Sequence, residues 1–88
     1  MASYKVIIKP SVEKDLRSLS RAAAIRAFKH IEALKENPFP RAAIKLAGAE
    51  RLYRIRIGDY RMVYGVDKVG RQVIVHYVRH RRDVYRQL

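Results

Sequence analysis

Arg54, Arg56 and Arg61 fall within the segment LYRIRIGDYRMVYGV, residues 52–66, and a second basic group, VRHRRDVY, follows near the C-terminus with Arg79, His80, Arg81, Arg82 and then Tyr85. A guanidinium is a permanently charged, planar fork of donors that matches the oxygens of a phosphate two at a time. Several on one surface would grip a phosphodiester. The question is whether the surrounding elements bring them together.

Gly58-Asp59 lies between two alternating runs, and glycine at the first central position is what a two-residue type II′ hairpin turn requires. A two-residue loop sets Ile57 opposite Tyr60, Arg56 opposite Arg61, Ile55 opposite Met62, Arg54 opposite Val63 and Tyr53 opposite Tyr64. Opposed residues share a face. One face therefore carries Tyr53, Ile55, Ile57, Tyr60, Met62 and Tyr64 and reads as core, while the other gathers Arg54, Arg56 and Arg61. Like charges directly across a strand pair oppose folding by up to roughly 1 kcal/mol. Either an anion offsets this cost, or the arginines splay into water.

The remaining elements follow in order. Tyr4 to Lys9 is rich in β-branched residues and ends at Pro10, which suits a first strand. Ser11 can cap a helix with Val12, Leu16 and Leu19 on one side. A second helix starts at Ser18 or Ser20 and runs to about Glu36, with Ala24, Ile25, Phe28, Ile31 and Leu34 as its apolar stripe, and Asn37-Pro38 ends it. Residues 39–51 read as a loop with a short extended piece around Ile44 to Leu46. After the hairpin, Asp67 to Gly70 is a turn, Gln72 to Val78 a strand buried inside the sheet, and residues 82–88 a short helical turn. His30 is expected on the helix surface.

Strand, two helices and a three-strand meander make an α+β two-layer sandwich with both helices on the Tyr53/Ile55/Ile57 face. The arginine face is left open. A turn at 67–70 that sets Val66 opposite Arg71 brings Arg61 against His76 on that face.

Composition agrees. The 88 residues carry no internal repeat or linker-like run and read as one domain, 1–88, near the size where one core gives only modest stability. There is no cysteine, so thiolate metal sites and disulfides are excluded, and nothing argues for secretion. No signal-peptide pattern or membrane-length apolar run is present, which points to the cytoplasm and away from a membrane partner. The net charge of +12 makes nucleic acid the first candidate partner, and 49% apolar content excludes a disordered basic tail.

The segment LYRIRIGDYRMVYGV followed by VHYVRHRRDVY resembles the signature of the RelE/ParE toxin superfamily, most closely its RelE-type branch. The strand, paired helices and Asn-Pro stop fit that pattern over nearly the whole chain. The resemblance implies a toxin of a toxin–antitoxin pair that enters the ribosomal A site and cuts messenger RNA there without a metal, and that is neutralised by an antitoxin wrapped over the same basic surface. By position it implies roles for Arg54 and Arg56, Arg61, Arg81 and Tyr85, with Lys45-Leu46 matching a Lys-Leu that precedes the arginine strand. One departure concerns the base. Some members carry lysine at positions 54 and 56, and arginine, with a pKa above ~12, is a poor proton acceptor.

Metal-free RNA cleavage uses the ribose 2′-OH as nucleophile and needs a base, stabilisation of the phosphorane and an acid for the 5′-oxygen. On this reading Arg56, Arg61, Arg81 and Tyr85 form the catalytic set. Arg61 and Arg81 bear the developing charge, and Tyr85 either stacks on a base or anchors the C-terminal turn. Lys45, Arg54, His76, Arg79, His80 and Arg82 are the RNA-binding set. His76 reads equally as a sheet histidine, and His80, among cations that favour its neutral form, could accept a proton. No cofactor, metal or small-molecule ligand is called for, since no Asp/Glu cluster has two-metal spacing. Two other functions fit the same residues: a ParE-like gyrase poison without nuclease activity, and a basic RNA-binding module without catalysis.

Overall fold

The computed structural model describes residues 3–46, 48, 51–80 and 82. Strand β1 (Lys5–Ile8) leads into helices α1 (Pro10–Arg17) and α2 (Arg21–Glu36), followed by β2 (Ile44–Lys45), β3 (Leu52–Ile57), β4 (Tyr60–Asp67) and β5 (Gln72–His80). The strands form one sheet in the order β1-β5-β4-β3-β2, with β1 parallel to β5 and the other pairs antiparallel. This is the expected α+β arrangement, with the expected first strand β1 and the short extended piece β2 on the meander's two flanks.

The core lies between the helices and one sheet face. Val12 and Leu16 from α1 and Ala27, Ile31 and Leu34 from α2 meet Ile55, Ile57, Met62, Tyr64, Val66, Val73, Val75 and Val78, with Tyr53 and Tyr60 packed at its edge. Tyr64 is fully buried and its hydroxyl donates to the Pro38 carbonyl at 2.9 Å, which ties the exit of α2 to the central strand. Burial and the neighbouring Tyr53 push the Tyr64 phenol far above its ordinary value.

Two helix expectations need correction. Helix α1 begins at Pro10 with Lys9 as N-cap, not at a Ser11 cap, because proline at the first helical position has its φ already set and no N–H to lose. On α2, Ile25 and Phe28 are 49% and 51% exposed, and the buried stripe runs through Ala27, Ile31 and Leu34 instead. Ala27 is fully buried against the core, which leaves the adjacent Phe28 at the rim. The α2 start is as read, with the Ser20 hydroxyl accepting from the Ala23 N–H at 3.2 Å.

The β3–β4 register matches expectation pair for pair from Ile57↔Tyr60 to Tyr53↔Tyr64. Gly58 sits at φ +59 and Asp59 is not in the positive-φ region, as a type II′ turn demands. The β4–β5 register does not match. Val66 pairs with Val73 rather than Arg71, and a bulge between Val63 and Tyr64 shifts the pairing again, so that Arg61 opposes Arg79 and not His76.

Candidate nucleic-acid interface

On the face away from the helices the hairpin and β5 align Arg56, Arg61 and Arg79 in one cross-sheet row, each directly opposite the next. Opposed side chains in an antiparallel sheet stand about 4.5–5.5 Å apart at Cβ. A second row beside it runs Arg54, Val63, Tyr77. The bulge that displaces His76 is what brings Arg79 into line.

The arginines are not equivalent. Arg56 is exposed and Arg54 half-buried, whereas Arg61 is only 6% exposed. Its Nη1 donates to the Gly58 carbonyl at 3.3 Å and to the Tyr60 carbonyl at 3.0 Å, so the turn that sets the register also fixes this guanidinium. No carboxylate forms an ion pair with Arg61 among the described residues. A buried cation held only by neutral carbonyls keeps its field, and an anion arriving at the surface above it meets a preorganised positive charge. This burial departs from the alternative in which the arginines splay into water, and Arg61 is less open than the exposed arginine face expected.

Arg79 closes the row at the edge of β5. Its Nε lies 3.8 Å from Asp15 Oδ2, and its guanidinium sits over the Tyr77 ring at 5.1 Å. The same Asp15 oxygen accepts the Val78 N–H at 3.3 Å. Beyond Val75, where β1 stops pairing with β5, this carboxylate of α1 satisfies a strand donor and orients an arginine. Sequence reading missed Asp15 and Tyr77. Tyr77 alternates with Arg79 along the strand, a signal that was visible; the position of Asp15 depends on how α1 docks and left no local trace.

The other expected site residues divide. His76 lies over Gly65, where an added Cβ would come within 3.2 Å of its Nε2, and Lys9 Nζ donates to its Nδ1 at 3.0 Å. Burial first, then Lys9, hold its pKa below 6.5, so it is a neutral sheet histidine distant from Arg61. His80 opposes Tyr60, on the same side of the sheet as the core residues, with the rings edge-on at 5.6 Å, and its Nδ1 accepts the Arg82 N–H at 3.3 Å. It does not join the row, and Arg82 is exposed. Lys45 opposes Tyr53 and so belongs to the helix side as well. Arg81 and Tyr85 lie outside the described residues. No group of three or more His, Asp or Glu side chains comes together among the described residues, and none of their helices is long and apolar enough to cross a membrane.

The family model described as the ParE toxin of the type II toxin–antitoxin system parDE matches residues 6–85. A putative toxin RelE1 of Methanocaldococcus jannaschii is 34% identical over 87 residues, covering 94% of this chain and 96% of that protein. Among solved structures, the archaeal RelE–RelB complex from Pyrococcus horikoshii OT3 contains a chain superposing with a TM-score of 0.81 at 34% identity, covering 90% of this chain and 96% of that one. The isolated E. coli RelE toxin superposes with a TM-score of 0.78 at 25% identity, covering 98% of this chain and 100% of that one.

Proposed function

The chain belongs to the RelE/ParE superfamily of type II toxin–antitoxin toxins, and from that premise we propose that it is a metal-independent endoribonuclease that cuts messenger RNA on the ribosome. The observation that carries this reading is the Arg56–Arg61–Arg79 row, whose buried centre has no carboxylate partner among the described residues. The ribose 2′-OH attacks the adjacent phosphorus and loses its proton, and the 5′-oxygen leaves and takes one up. The products are a 2′,3′-cyclic phosphate and a 5′-hydroxyl. Exposed Arg56 meets the phosphate oxygens, while Arg61 beneath it supplies fixed positive charge to the phosphorane. Arg54 extends the phosphate contact along the strand.

Arginine at positions 54 and 56 supplies no proton acceptor, so the base is a different group, with Arg81 and Tyr85 completing the set by the family resemblance. The physiological inhibitor is an antitoxin that covers the basic face. The Pyrococcus relative solved with RelB supports this partner, and messenger, ribosome and antitoxin together imply action in the cytoplasm.

Translation in vitro with the purified chain, mapping messenger 5′-ends with and without ribosomes, tests the reading. New 5′-hydroxyl ends that require ribosomes are expected. The ParE description of the matching family supports a second reading, a gyrase poison; intact messenger together with gyrase-dependent DNA breaks would replace the first reading with it.

A further inference from the structure

A half-open cavity of about 350 Å³ lies on the helix side of the sheet, at the end of β3 and β4 away from the Gly58-Asp59 turn. The segment after α2, β2, the start of β3 and the turn after β4 line it. Its polar lining consists of Lys45, Arg51, Lys68 and one carboxylate, Asp67, over the rings of Phe39 and Tyr53. Asp67 is turned to its own loop, where Oδ1 accepts the Gly70 N–H at 3.1 Å. Among the described residues none of the three cations makes an ion pair. The cavity is therefore positive and open.

The lining is also held in place. Lys68 Nζ stands 5.2 Å from the Phe39 ring centroid, Phe39 meets Tyr53 edge-on at 5.3 Å, and Tyr53 stacks on buried Tyr64 at 5.8 Å. Arg51 adopts φ +69, a conformation an L side chain seldom takes, while its carbonyl accepts the Val66 N–H at 3.1 Å. Backbone strain of this kind persists where the surroundings enforce it and gathers at functional positions. Here it accompanies a cation on the cavity wall.

We propose that this cavity binds a phosphate group of an RNA strand and so grips the RNA at a second point, separate from the arginine row. Arg51 lies five residues along the strand from Arg56, roughly 17 Å at the rise of a β-strand, and on the other face. Cations beside fixed aromatic rings are the usual grip on single-stranded nucleic acid, and a cavity of this size accepts a nucleotide-sized group. The inference rests on the reading of the protein as acting on RNA, but not on cleavage.

The test titrates the full chain with a single-stranded RNA of about 12 nucleotides, and separately with inorganic phosphate, following the aromatic NMR signals of Phe39 and Tyr53. RNA binding is also measured against salt for the wild type and Lys68→Gln. Shifts of both rings with RNA, and a salt slope lower by about 0.7 in the variant, support the site. Unmoved rings with an unchanged slope overturn it, and shifts with phosphate alone overturn an RNA role. Should the rings shift with RNA while messenger stays uncut, the nuclease reading falls and this site stands. Cut messenger with unmoved rings removes the site alone.

Discussion

Arg56 bears two opposed demands. It stands directly across from Arg61, a like-charge pair that destabilises the sheet, and it is the exposed member of the row that meets an anion first. Arg56→Gln is therefore expected to raise stability by about 0.2–1 kcal/mol in urea denaturation, while weakening RNA binding and lowering its salt slope by about 0.7. A loss of both stability and affinity would show that Arg56 is a structural anchor. His76 has a different signature. Its pKa is lowered below 6.5 in the folded chain, so the folded state binds fewer protons than the unfolded one. Its contribution to stability is complete above that value and declines as pH falls through it toward the folded pKa. His76→Gln should remove this component, leaving a melting temperature that falls less than that of the wild type between about pH 7 and about pH 5.

The β3–β4 hairpin is the element on which the row depends. Gly58 at φ +59 closes the turn, and its carbonyl also holds Arg61. Gly58→Ala is expected to cost about 1–2 kcal/mol, because an added Cβ meets the left-handed steric penalty, although its nearest neighbour, Arg26 Nη1 at 3.4 Å, can move aside. Unchanged stability would contradict the turn assignment. This hairpin was legible in the sequence in full, since a two-residue loop leaves a single register once glycine fixes its type. Strand β5 was legible as a buried strand but not in its pairing. A two-residue shift at the turn, which sets Val66 against Val73, and one bulged residue at His76 together replaced the expected Arg61–His76 pair with Arg61–Arg79, and no local pattern announces a bulge. The face of α2 was misread for a related reason: helical period admits either Phe28 or Ala27, and only close packing against the sheet decides.

Across the whole molecule, an excess of twelve positive charges stays largely uncompensated, with three ion pairs among the described residues and two of those exposed pairs within the helices. Such exposed pairs contribute little, so the molecule keeps a strongly positive field, which suits the proposed polyanionic partner. The row of guanidiniums faces one side and the Lys45/Arg51/Lys68 cavity the other. The proposed nuclease activity requires charge placed in advance, and Arg61 is the fixed point of that placement. Single-turnover cleavage of messenger on programmed ribosomes by Arg61→Ala measures this most directly. The rate is expected to fall by about 10²–10³, the loss typical of one preorganised charge-stabilising group, with ribosome binding retained. Cleavage at the wild-type rate by a folded Arg61→Ala protein would contradict the account.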